Sequence, residues 1–137
     1  MSDAPARGRS RRTPRAARTA RQDLGSIILG FELIVVFLGG LVLFGLKSLP
    51  AAIALGGGLA MVVAMAATIA LLRFSWAFVL GWILQLIVVG AGFLVPAFFI
   101  VGVIFTGMWT YAMVTGAKLD RAKQIRAQQN LETENPE

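Results

Sequence analysis

Glu32 is the single carboxylate within a long apolar run, Leu24 to Leu46, and it is the first side chain in this sequence that could do chemistry. A carboxyl at the centre of a membrane helix costs about 3 kcal/mol if it faces lipid, so Glu32 is predicted to face protein or a wet cavity. Two kinds of chemistry suit it there. It can exchange a proton or bind a cation, or it can serve as a hydrogen-bonding staple between helices. Three further polar or amphipathic side chains fall at a similar depth along the chain: Trp82, Gln85 and Thr106. Counted from one membrane face, the four agree within about 5 Å at helical rise, so they form a candidate intramembrane polar cluster. No basic residue lies at that level. Catalysis would need a second acid, base or nucleophile in reach, and the sequence offers only hydroxyls and amides, so no catalytic residue is assigned and no enzyme is expected.

The composition narrows the chemistry further. There is no His and no Cys, which removes the usual zinc, haem and neutral-pH relay ligands and any disulfide framework. Neither a metal site nor a cofactor is expected. The hydrophobic fraction is 57% against 15% charged, far too apolar for a soluble domain of 137 residues.

Four apolar segments must position the cluster. The first is predicted over about residues 24–46, with Asp23 or Ser26 as N-cap and Lys47-Ser48-Leu49-Pro50 as the turn that ends it. The second covers about 51–72, closed by Arg73. From Phe74 to Gly116 no residue is charged, too long a stretch for one span and enough for two. The reversal is placed at Gly90-Ala91-Gly92-Phe93-Leu94-Val95-Pro96, giving spans of about 74–91 and 96–115. That turn is apolar and is expected to be covered by protein.

Small residues on these segments point to close helix packing. Gly25 and Gly39 sit seven residues either side of Glu32, on a face shared with Leu29 and Val36. In the second span Ala52, Gly56, Ala60, Ala64 and Thr68 recur every four residues and are read as one packing ridge.

The flanks are polar. Residues 1–23 carry Arg7, Arg9, Arg11, Arg12, Arg15, Arg18 and Arg21 and are read as a disordered basic tail that contacts anionic lipid headgroups, not as a specific nucleic-acid binder. Residues 117–137 are read as a polar tail, helical at first and frayed beyond Gln128. With four spans, every basic residue except Lys47 falls on one side, which places both termini in the cytoplasm. Trp76, Trp109 and Tyr111 then fall near that interface, as an aromatic belt would.

Gly30-Phe31-Glu32, Gly81-Trp82-Ile83-Leu84-Gln85, Val95-Pro96, Gly102-Val103-Ile104-Phe105 with Trp109, and Gly116-Ala117-Lys118 together resemble an actinobacterial family of small integral membrane proteins catalogued as a domain of unknown function. The resemblance spans about residues 24–120. It implies four helices and an inner-membrane location, and it implies no activity, ligand or catalytic residue. Small four-helix multidrug exporters are similar in architecture, with a functional glutamate in the first span, but their loop patterns are not visible here.

The expectation is therefore an all-α membrane protein of four transmembrane helices in two hairpins, termini cytoplasmic, in the bacterial plasma membrane. It works without catalysis, through helix-mediated association as a homo-oligomer or as an accessory subunit of another membrane protein. The alternative is a small proton-coupled transporter with Glu32 as the coupling carboxylate.

Overall fold

The computed structural model describes residues 18–135, and within them the chain is four α-helices: α1 Ala20–Gly45, α2 Ala51–Leu71, α3 Ala77–Ala91 and α4 Ala97–Glu134. Three of these, α1, α2 and α4, are long and apolar enough to cross a membrane; α3 is apolar but only 15 residues long, about 22 Å at helical rise. Each helix packs on its neighbours in sequence and α4 closes back on α1, with the α2–α3 seam the least extensive. One end of the bundle carries the start of α1, the α2–α3 turn and the middle of α4; the other carries the α1–α2 and α3–α4 turns.

Around α1, α2, α3 and the first half of α4 the outer surface is apolar. Phe31, Leu38, Leu59, Leu86, Val103 and Ile104 are exposed, while the core is a thin column of Leu29, Val36, Met65, Leu72, Val88 and Trp109. Helices apolar on every face are stable only where the surroundings are apolar too, as in a bilayer.

α1 starts earlier than the sequence predicts. Its N-cap is Thr19, not Asp23 or Ser26, and Thr19 forms a reciprocal capping box with Gln22. Asp23 lies in the first turn beside Arg18, and the Ser26 hydroxyl bonds back to the Asp23 carbonyl. At the far end Lys47 has φ 52°, the only positive φ at a non-glycine among the described residues. Lys47 N–H donates to Phe44 O and Ser48 N–H to Leu43 O, both at 3.2 Å, the two bonds of a Schellman closure, with lysine where glycine is usual.

The ridge predicted on α2 is divided. A four-residue step turns a helix by about 400°, so the line drifts about 40° per step and Ala52 ends nearly opposite Thr68. Thr68 is buried and Ala64 half-buried, whereas Ala52, Gly56 and Ala60 are exposed, and a methyl on Gly56 would meet nothing within 4 Å. The face turned to α1 is Ala54, Gly58, Met61, Met65 and Thr68, where steps of three and four alternate and the drift cancels. The α1 and α2 backbones approach closely at Gly40 and Gly58: a Cβ on Gly40 would lie 3.5 Å from the Ala54 carbonyl oxygen and 3.7 Å from Gly58 Cα.

The α3–α4 turn lies within the stretch 90–96 read as the reversal, with Gly92 as the C-cap of α3 and Pro96 as the N-cap of α4. It is not covered, since Phe93 is 85% exposed. The amides of residues 92–95 bond back to the carbonyls of Val89, Gly90 and Ala91, so the turn satisfies its own donors without another helix over it. α4 then runs unbroken to Glu134, six residues past the predicted onset of fraying at Gln128. Arg7, Arg9, Arg11, Arg12 and Arg15 lie outside the described residues.

Candidate functional site

The polar centre is assembled by three helices. α1 presents Glu32 on the same stripe as Gly25, Leu29 and Val36, all buried; α3 presents Gln85 on the stripe of Gly81, Leu84 and Val88; α4 presents Thr106, next to Phe105 and one turn from Trp109 and Gly102. Glu32 and Gln85 are 0% exposed. Gln85 Nε2 donates to Glu32 Oε2 at 2.6 Å, and Thr106 Oγ1 donates to Gln85 Oε1 at 3.2 Å. The amide thus serves both ends of the chain, donor to the carboxyl and acceptor from the hydroxyl. Thr110 Oγ1 donates to the Thr106 carbonyl one turn further along α4.

Trp82 stands apart from this chain. It is 40% exposed, three residues from Gln85 and so about 60° round the helix, enough to turn its ring toward the bundle's exterior. The tryptophan in the interior is Trp109, placed by the sequence in an interfacial belt and here fully buried. Its ring lies 3.4 Å from where a Cβ on Gly25 of α1 would stand, and a Cβ on Gly81 of α3 would overlap it. Glycine on both facing helices creates the slot that an indole fills. Trp76 and Tyr111 are exposed. Glu32 Oε1 and Trp109 Nε1 are buried without a hydrogen-bond partner among the described residues.

A second polar locus, one the sequence did not single out, closes the end of the bundle. Asp120 of α4 accepts from the first amides of α1, Ala20 N at 2.7 Å and Arg21 N at 3.3 Å. It caps a helix a hundred residues away in sequence and places negative charge at the positive end of the α1 dipole. Gly116 permits the approach, since a Cβ there would sit 2.8 Å from Arg21 Cα. Arg21, one of the arginines read from the sequence as headgroup contacts, packs its guanidinium over the Phe78 ring at 4.5 Å and against the Met113 sulfur. A cation on an aromatic face, its aliphatic stem on apolar surface, is well placed in a half-buried position. Arg18 is exposed and pairs with Asp23 at 3.6 Å.

Of the predicted packing glycines, Gly25 faces Trp109 as described, and Gly39 is half-buried with Phe98 3.3 Å from where a Cβ would stand.

Fold and site together define the class: an all-helical protein with membrane-type helices, crosslinked at its centre by a carboxyl, an amide and a hydroxyl. The chain belongs to the family described as Protein of unknown function (DUF4233), whose model matches residues 22–125. That range takes in all of α2 and α3, nearly all of α1, the polar centre and Asp120. Searches of curated proteins and of solved structures gave no match.

Proposed function

We propose that this protein is a non-enzymatic, four-span integral membrane protein of the bacterial plasma membrane, both termini cytoplasmic, that acts through helix-mediated association as a homo-oligomer or as an accessory subunit. The observation that carries the reading is how its special residues are divided between inside and outside. The carboxyl is turned inward and bonded to Gln85 of its own chain, while the small ridge Ala52, Gly56 and Ala60 is turned outward with open space at Gly56. Small outward residues let a neighbouring helix approach closely in a bilayer, where close packing and not hydrophobic burial drives association.

The fourth crossing belongs to α3, the short helix. The adjoining turn residues 74–76 and 92–95 are largely apolar and extend it, and a modest thinning of the bilayer makes up the rest. Four crossings put Arg73, Lys118, Arg121, Lys123 and Arg126 on one side with the arginine-rich segment, and leave Lys47 alone on the other, which is the cytoplasmic-termini orientation. The basic segment then lies against anionic headgroups.

The proton-coupled alternative has less support, because Glu32 is bonded to Gln85 of its own chain and lines neither of two apolar hollows beside α2. The test uses fluorescence energy transfer between labelled copies in lipid nanodiscs, together with proton flux in liposomes. The reading predicts self-association, or capture of a membrane partner, that Gly56→Leu abolishes and Glu32→Gln preserves. Retained association in Gly56→Leu, or pH-dependent flux that disappears in Glu32→Gln, contradicts it.

A further inference from the structure

At the end of the bundle away from Asp120, a hollow of about 240 Å³ opens along the seam between α2 and α3. Its outer part is bounded by Leu43 and Leu49 beside the α1–α2 turn and by Leu94 and Val95 in the α3–α4 turn, and its inner part reaches Val36 and Val88. Those two valines lie one helical turn from Glu32 and Gln85, so the hollow stops just short of the polar centre. Leu43 to Val36 spans seven residues of α1, about 10 Å of groove at helical rise. Glycines make the space. Gly40, Gly57 and Gly58 line it, and a Cβ on Gly57 would meet nothing within 4 Å.

Water is a poor occupant, since a wall of aliphatic side chains and glycine offers none of the polar partners a buried water needs. The groove opens on an exterior that is itself apolar, with Ile53 and Ile87 exposed at its edge. One charge stands at this end. Lys47 lies in the turn between Leu43 and Leu49, it is exposed, and it has no carboxylate within salt-bridge distance among the described residues. In the sequence, no other charge occurs between Glu32 and Arg73 or between Arg73 and Lys118, so nothing in the two turns at this end competes with it.

We propose that this seam is a phospholipid site, with one acyl chain lying in the α2–α3 groove and the anionic phosphate held by Lys47. Apolar length below and a lone cation at the rim are the complement of a phospholipid: the chain fills a hollow that no side chain fills, and the phosphate finds an unpaired ammonium at headgroup level. The shallow α2–α3 contact is what leaves room for it. Gly57 lies about 100° round α2 from Gly56, so a side chain at Gly57 enters the groove while one at Gly56 stays outside it, and Ala60 of the small ridge, about 60° from Gly57, borders the groove.

The experiment is native mass spectrometry of the full chain released from micelles doped with equimolar phosphatidylglycerol and phosphatidylcholine, with thermal unfolding measured in parallel. The wild type retains one phospholipid, favouring phosphatidylglycerol by about fivefold, the preference a single cation near an anionic headgroup confers. Gly57→Leu fills the groove and lowers retention about tenfold with unfolding unchanged. Lys47→Asn keeps a residue that tolerates the left-handed conformation, retains lipid, and binds the two headgroups equally. Retention by Gly57→Leu equal to wild type overturns the proposal, as does absence of retained lipid from the wild type. A change in oligomer mass in Gly57→Leu with no change in lipid assigns the groove to a second copy and overturns it as well. If Gly57→Leu does not fold, Lys47→Asn decides: equal binding of the two lipids supports the site, and an undiminished preference for phosphatidylglycerol rejects it.

Discussion

Trp109 and the glycines around it show how single residues set this bundle. The indole fits because Gly25 and Gly81 present no side chain to it, and the room at Gly81 is fully used. Gly81→Ala is therefore expected to destabilise the protein by about 1–3 kcal/mol, because the methyl overlaps a ring that has nowhere to move. Gly30→Ala, also in a helix but with nothing within 4 Å of the new Cβ, is expected to be neutral or stabilising by up to about 1 kcal/mol. Thermal unfolding in detergent micelles separates the two. At this scale the sequence revealed depth better than direction. Glu32, Gln85 and Thr106 were legible as neighbours because helical rise fixes how deep each lies. Trp82 and Trp109 were not separable, since both are tryptophans at plausible depths. Which of them points inward depends on angles of about 60° that only packing resolves.

Between elements, the closures are of two kinds, one local and one remote. The Schellman closure of α1 is built from residues adjacent in sequence, and its one irregularity is a lysine held at φ 52°. Lys47→Gly removes the left-handed penalty and is expected to stabilise the fold by about 1 kcal/mol. The start of α1 is closed from afar by Asp120, and Asp120→Ala is expected to cost about 1–2 kcal/mol and to loosen the α1–α4 contact. Hydrogen exchange at Ala20 and Arg21 reads that loosening directly: faster exchange there, with the α3 amides unchanged, is the predicted result, and unaltered exchange at both would remove Asp120 from its capping role. The sequence disclosed the four segments and three turns, since charges, prolines and glycine pairs punctuate them. It could not disclose the Asp120 cap, because an aspartate in a run of charged helix residues has the same composition whether or not another helix begins beside it. The predicted α2 ridge went astray for a geometric reason: four-residue repeats look like a stripe on paper and wind round a helix in space.

For the whole molecule, everything turns on whether all four helices cross the membrane. α1, α2 and α4 meet the length requirement outright, and α3 with 15 residues does so only with its apolar turns. The cytoplasmic termini and the phospholipid site at the seam both presuppose that crossing, since with α3 lying on the surface the α3–α4 turn would share a side with Arg73. The chain has no cysteine, so single substitutions give unique labels. The decisive measurement is the reactivity of Ser48→Cys, Ser75→Cys, Phe93→Cys and Asn130→Cys toward a membrane-impermeant maleimide, in intact cells and after permeabilisation. Labelling of positions 48 and 93 in intact cells, with 75 and 130 reached only after permeabilisation, is the predicted result. Positions 75 and 93 reacting from the same side would show that α3 does not cross, and would contradict the four-span account.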